Sequence, residues 1–229
     1  KGLEKLTQLT YLNLSNNKLT DVKGLEKLTQ LTRLDLSNNP DLTKAQIVEL
    51  KKALPRCGIY PLTEEESAEI IQAAIRKAAK KPTGELTQAD FEKVTKLNLE
   101  SKKLTDVSGL EKLTQLTYLN LQHNELTDVK GLEKLTQLTR LRLRYNQLTD
   151  VSGLENLTQL EDLGLRNNQL TDVKGLEKLT QLTNLSLSYN KLTDVSGLEN
   201  LTQLTSLGLG YNKLTDVSGL EKLTQLKDL

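Results

Sequence analysis

A phrase of 22 residues, LTYLNLQHNELTDVKGLEKLTQ at 116–137, returns almost letter for letter to the end of the chain, and it occurs twice more before residue 40. Asn124, Asn146, Asn168, Asn190 and Asn212 mark its period. Within one copy, Leu119 and Leu121 alternate with polar residues, as in a short half-buried strand. Val129, Leu132 and Leu135 stand three apart, which predicts a 3₁₀-like or helical return instead. One copy has no means of burying these leucines by itself. Stacked copies do, each strand adding to the next at roughly 4.8 Å in a parallel sheet. The repeated asparagine falls among apolar positions and needs partners. A ladder in which its amide bonds to backbone groups of adjacent coils supplies them.

The pattern L-x-x-L-x-L-x-x-N-x-L, followed by T-D-V-x-G-L-E-x-L-T-Q, resembles the bacterial leucine-rich repeats of 22 residues, the internalin-like type, over about 150 of the 229 residues. The resemblance implies an α/β fold: a leucine-rich-repeat right-handed β-α superhelix, or solenoid, with a concave parallel sheet. It also implies a role in binding proteins or other ligands. The copies are nearly identical to one another, which points to recent duplication or to consensus design.

Composition narrows the function classes. Thirty-one basic residues face 30 acidic ones, a net charge of +1, so neither nucleic acid nor a membrane surface is an expected partner. A single cysteine, Cys57, excludes a disulfide within the chain. No apolar run approaches the roughly 20 residues that span a bilayer, and no signal peptide is visible. Localisation stays open; the start at Lys1 without methionine suggests a removed tag or leader. Aromatic residues are 3% with no tryptophan, so the core must be leucine on leucine. Asn-x-Ser/Thr matches at Asn13, Asn156, Asn184 and Asn200 follow from the repeat itself rather than from glycosylation.

The regular period breaks once. Residues 1–61 form a short rod with strands expected around Leu12–Leu14 and Leu34–Leu36, ending in a helical cap. Asn39-Pro40-Asp41 signals a turn. Thr43 and Gln46 form a capping box. Ala45, Val48, Leu50, Ala53 and Leu54 are the expected apolar face of one helix, stopped by Pro55. Cys57 and Ile59 suggest a last short strand, with Cys57 a buried small hydrophobe. This segment resembles a C-terminal cap of the family. Residues 62–96 resemble an N-terminal cap. Thr63 and Glu66 open its helix, Ala68, Ile71, Ala74, Ile75 and Ala78 form its apolar face, and Thr87 with Asp90 opens a second, short helix. Residues 97–229 are a long rod whose strands recur at Leu97, Leu119, Leu141, Leu163, Leu185, Leu207 and Leu229. Lys102 stands where later coils carry asparagine.

The order repeats, C-cap, N-cap, repeats suggests an engineered or rearranged chain, the alternative being a fragment or ends covered by missing tags. A circular permutant in one chain fails on length. Nine strands between the caps need about 40 Å, whereas the four or so residues that join the caps, Tyr60–Thr63, span at most ~14 Å. The expectation is therefore two rods joined through a helical cap junction. Each rod has an uncapped end, and copies stack head to tail into a ring or filament. The expected contact layers are Leu3, Leu6, Leu9 and Leu12 at one end and Leu220, Leu223, Leu226 and Leu229 at the other.

Variable residues concentrate at strand positions expected to face outward on the concave side. One column reads His123, Tyr145, Asn167, Tyr189, Tyr211; another Tyr118, Arg140, Asp162, Asn184, Ser206; a third Asn120, Arg142, Gly164, Ser186, Gly208. Arg144 and Arg166 lie beside them. This vocabulary suits a binding face for a protein or an acidic ligand. A solvated sheet face that tolerates any polar residue is the alternative, since Glu161 and Asp162 could neutralise the arginines. On the convex side Lys134, Asn156, Lys178, Asn200 and Lys222 alternate, which spaces like charges. One histidine and one cysteine, in different rods, make no catalytic set and no metal or cofactor site, and no phosphate-binding glycine loop is present, so no enzyme is expected.

Overall fold

The computed structural model describes residues 2–37, 39 and 41–229. Lys1, at the expected start of the short rod, and Pro40, in the expected turn, lie outside the described residues. The chain divides into two compact units, 1–65 and 66–229.

In the larger unit, six three-residue strands pair in parallel and in sequence order: β4 (Lys96–Asn98), β5 (Tyr118–Asn120), β6 (Arg140–Arg142), β7 (Asp162–Gly164), β8 (Asn184–Ser186) and β9 (Ser206–Gly208). The register maps each residue onto the one 22 positions later, as in Leu119 opposite Leu141. The smaller unit repeats the plan with β1 (Tyr11–Asn13), β2 (Arg33–Asp35) and β3 (Gly58–Tyr60). The expected strand at Leu229 is reduced to a single bridge between Ser206 and Asp228.

Each letter of the repeat has a physical task. Leu132, Leu135, Leu138, Leu141, Leu143 and Leu148 are fully buried and form one continuous apolar column with their counterparts in other coils. The return is a chain of 3₁₀ turns: the N–H groups of Leu132, Leu135 and Leu138 donate to the carbonyls three residues back at 2.9–3.1 Å. The aspartate opens the return, since Asp128 Oδ1 accepts from the Lys130 N–H at 3.0 Å. The glutamate closes it, since Glu133 Oε2 accepts from the Gly131 N–H at 2.7 Å. Gly153 takes φ +100 and lies against the previous coil, where an added Cβ would be 3.2 Å from the Val129 carbonyl oxygen. The threonine ties coils together: Thr139 donates through its N–H and its hydroxyl to the Thr117 carbonyl.

The asparagine ladder is present. Asn124 Oδ1 accepts from the N–H groups of Lys102 and Leu104, and its Nδ2 donates to the Leu99 and Leu121 carbonyls. Asn146, Asn168 and Asn190 are likewise buried and repeat the bonds to the neighbouring coil.

Both caps cover leucine that a strand edge would leave bare. Helix α1 (Lys44–Ala53) starts at a Thr43–Gln46 capping box. Its buried stripe corrects the expected face: Ile47, Leu50 and Leu54 are buried, whereas Ala45, Val48 and Ala53 are exposed. Helix α2 (Glu64–Ala78) buries Ser67, Ile71 and Ile75, with Ala79 beyond its end; Ala78 is exposed. Helix α3 (Gln88–Glu92) starts at a Thr87–Asp90 capping box. Asp90 also accepts from Lys81 at 2.7 Å and Lys93 at 3.0 Å. The Lys81 ammonium, the Thr87 donors and then Lys93 hold its carboxyl well below the usual carboxylate range. Cys57 is half-buried and free, and burial pushes its thiol pKa up. Among the described residues, no helix is long and apolar enough to cross a membrane.

Candidate functional site

The outward strand positions of the larger unit form the concave face, and two of the expected columns lie on strands. Tyr118, Arg140, Asp162, Asn184 and Ser206 are register partners, as are Asn120, Arg142, Gly164, Ser186 and Gly208. The aromatic column is displaced. His123, Tyr145, Asn167, Tyr189 and Tyr211 lie just past the strands, in left-handed backbone with φ of 56 to 59. The fold requires that conformation, since Asn16 and Ser101 adopt it too. It lets each N–H reach the next coil, as in Tyr145 donating to the Arg166 carbonyl at 2.9 Å. Asparagine, histidine and glycine suit such a position; a tyrosine there is locally unfavourable.

The rings associate along the column. His123 stacks on Tyr145 with centroids 4.3 Å apart, and Tyr189 on Tyr211 at 4.1 Å. The Tyr189 phenol is raised above its ordinary pKa by hydrogen bonding with Tyr211 and by burial. The Arg166 guanidinium lies over the Tyr189 ring, 4.6 Å from its centroid.

The arginines separate into different roles. Arg142 pairs with Asp162 at 2.7 Å, so one expected member of an anion site is already neutralised, and by the residue the sequence suggested. Arg140, directly opposite Asp162 in the register, is exposed. Arg144 and Arg166 are half-buried, and their Nε atoms are buried without a hydrogen-bond partner. Side chains on this face lean toward the following coil. Arg144 lies so close over Gly164 that an added Cβ there would be 2.9 Å from Nε, and Ser188 lies likewise over Gly208. These glycines, read as variable surface positions, are vacated for the neighbour's side chain.

The leucines of the expected end layers differ in exposure. Leu223 is buried at 3% exposure and offers nothing to a second chain. Leu6 and Leu229 are 48% and 78% exposed. Leu3, Leu9, Leu12, Leu220 and Leu226 are half-buried. Among the described residues, no cluster of His, Cys, Asp and Glu could hold a metal ion.

A parallel sheet with one short strand per coil, 3₁₀ returns and an asparagine ladder defines a repeat solenoid. The family model for leucine-rich repeats in two copies matches residues 7–51, 92–134, 136–178, 158–200 and 180–222. The chain belongs to the leucine-rich-repeat family, and its likeness to solved structures is to the internalin-like type. Internalin C2 of Listeria monocytogenes is 32% identical, with a TM-score of 0.56 over 70% of this chain and 81% of that one. An internalin, InlF, of the same species is 25% identical with a TM-score of 0.54, over 99% of this chain and 68% of that one. A leucine-rich-repeat protein of Leptospira interrogans is 27% identical with a TM-score of 0.56, over 99% of this chain and 50% of that one. A search of curated proteins gives no match.

Proposed function

We propose that this chain is a non-catalytic protein-binding scaffold that takes its partner on the concave face of the larger unit. The observation that carries this reading is the aromatic column. Tyr145, Tyr189 and Tyr211 occupy left-handed backbone that favours asparagine, and they are 43%, 37% and 74% exposed. Residues that work against local stability while facing solvent answer a demand other than folding. Tyrosine and arginine, set among serine, glycine and asparagine, are effective anchors at protein interfaces. The single histidine is engaged in a ring stack, which fits a binding surface rather than catalysis. A displayed peptide library panned on the protein tests the reading. Enriched binders should be lost on Tyr118→Ala with Asn184→Lys and kept on the convex pair Lys134→Glu with Lys178→Glu. Binders indifferent to the concave pair, or no enrichment at all, would refute it.

A second reading concerns the 229-residue chain taken by itself: copies associate head to tail, the Leu229 end of one against β1 of the next. It is favoured by the partly bare leucines of both end coils, and the near identity of the coils fits an engineered or rearranged scaffold of this kind. At about 1.5–3 kcal/mol per fully buried leucine, covering what remains exposed contributes on the order of 5–10 kcal/mol, against an association cost of about 4–15. Assembly should therefore depend on concentration unless a closed ring makes several contacts at once. Sedimentation from micromolar to millimolar protein should show growing species, and Leu6→Glu with Leu9→Lys should return monomers. A parent chain that stays monomeric throughout would end this reading.

A further inference from the structure

We infer that Arg144 and Arg166 form a clamp for a carboxylate on an acidic peptide segment of the partner, an inference that rests on the concave-face reading above. The two residues are 22 apart, so they stand side by side on neighbouring coils. Among the described residues, neither makes an ion pair. Asp162, on the coil of Arg166, is bound by Arg142, and Glu100, two coils before Arg144, accepts from Asn120 Nδ2 at 3.1 Å. The coils on either side place Gln122 and Ser188 in the same column, which add no compensating charge. Like charges on adjacent coils repel, so the pair is a local cost that an anion would remove.

The geometry also says how an anion is met. Both Nε atoms are buried, so the side edge of each guanidinium is closed. Arg144 lies close over Gly164, and Arg166 lies over the Tyr189 ring. What remains for a ligand is the Nη end of each fork. Two pre-positioned forks, presented end-on, suit the two oxygens of one carboxylate through charge-assisted hydrogen bonds. Tyr145, next to Arg144 on the same coil and 43% exposed, gives a platform for a neighbouring peptide group. Arg140 stands apart as an exposed, unrestrained cation.

The test uses the whole chain and a fluorescent Glu-Glu-Phe-Glu-Glu peptide, with the Gln-for-Glu peptide as its neutral match, read by anisotropy at about 50 mM salt, where exposed charges are least screened. The acidic peptide should bind and the neutral one should not. Arg144→Gln with Arg166→Gln should weaken binding at least about tenfold, since it removes the charge-assisted bonds. Gly164→Ala should weaken it several-fold with no change in net charge, because the new methyl group displaces Arg144. Lys178→Gln, on the convex side, should leave it nearly unaltered. Far-UV circular dichroism checks that each variant is folded. Equal affinity for the neutral peptide, no binding by the folded parent, or full affinity in the arginine double variant would overturn the clamp. So would complete displacement by millimolar inorganic phosphate, which would make this a site for a free anion. Library binders that need Tyr118 and Asn184 but carry no acidic residue would overturn the clamp and leave the concave-face reading intact.

Discussion

Replacing Asn168 with alanine removes hydrogen bonds to Leu148 N–H, Leu143 C=O and Leu165 C=O, at 3.0, 2.9 and 3.0 Å. The losses are unequal. The Leu143 carbonyl keeps Asn146 Nδ2 at 3.1 Å, and the Leu165 carbonyl keeps Asn190 Nδ2 at 3.0 Å. Leu148 N–H keeps nothing comparable and sits in a fully buried residue. An orphaned buried donor costs about 1–3 kcal/mol, and each lost second bond to a carbonyl about 0.5–1. Asn168→Ala should therefore cost about 2–5 kcal/mol. Asn212 makes the same bonds, to Leu192 N–H and to the Leu187 and Leu209 carbonyls, but is only half-buried. Water can replace it, so Asn212→Ala should cost about 0.5–1.5 kcal/mol. Asn17 is exposed and, among the described residues, bonds to the nearby Leu14 and Ser15 carbonyls, so its alanine variant should be within about 0.5 kcal/mol of the parent. Urea titrations followed by far-UV circular dichroism give the order, since the chain has no tryptophan to report by fluorescence. Exchange of the Leu148 amide with deuterium gives the site. A repeat array need not unfold in one step, so the two measurements are read together. Equal costs for the three variants, or unchanged protection of Leu148 in Asn168→Ala, would refute the ladder as the tie between coils.

Two further outcomes follow from the cap and the return. The Asp90 carboxyl, held low by Lys81, Thr87 and Lys93, contributes stability that is fully present above the ordinary aspartate value of about 3.9 and is lost as pH falls below it toward the folded-state value. The thermal midpoint of the parent should drop steeply below about pH 4, and that of Asp90→Asn should start lower and drop less; parallel curves would contradict this. Gly153→Ala forces a side chain into φ +100 and presses its Cβ toward the Val129 carbonyl, so it should cost about 1–3 kcal/mol, and a parent-like urea midpoint would count against the strain.

The local devices were legible because they act within a few residues of themselves. The Thr43–Gln46 and Thr87–Asp90 capping boxes need only a three-residue spacing and an adjacent helix. The asparagine ladder was legible for another reason: a buried amide among leucines must bond to backbone, and stacking offers backbone at a fixed interval. The stripe of α1 was not legible. Val48 and Ile47 are equally apolar and adjacent, and which of them is buried depends on how the helix lies against the coil it covers.

The candidate binding face divides along the same line. A period of 22 residues determines who stands beside whom, because parallel in-register stacking carries residue i onto i + 22; Arg144 beside Arg166 and Arg140 opposite Asp162 are already in the sequence. It does not determine whom a side chain reaches. Asp162 takes Arg142, its diagonal neighbour, and leaves its register partner Arg140 in solvent. Arg144 bends over Gly164 and Arg166 over Tyr189. The aromatic column falls in left-handed turns beyond the strands instead of on them. Neighbourhood follows from the backbone period, which the sequence carries. The lean of a long side chain follows from where the packed sheet leaves room for it, and that room exists only once the coils are stacked.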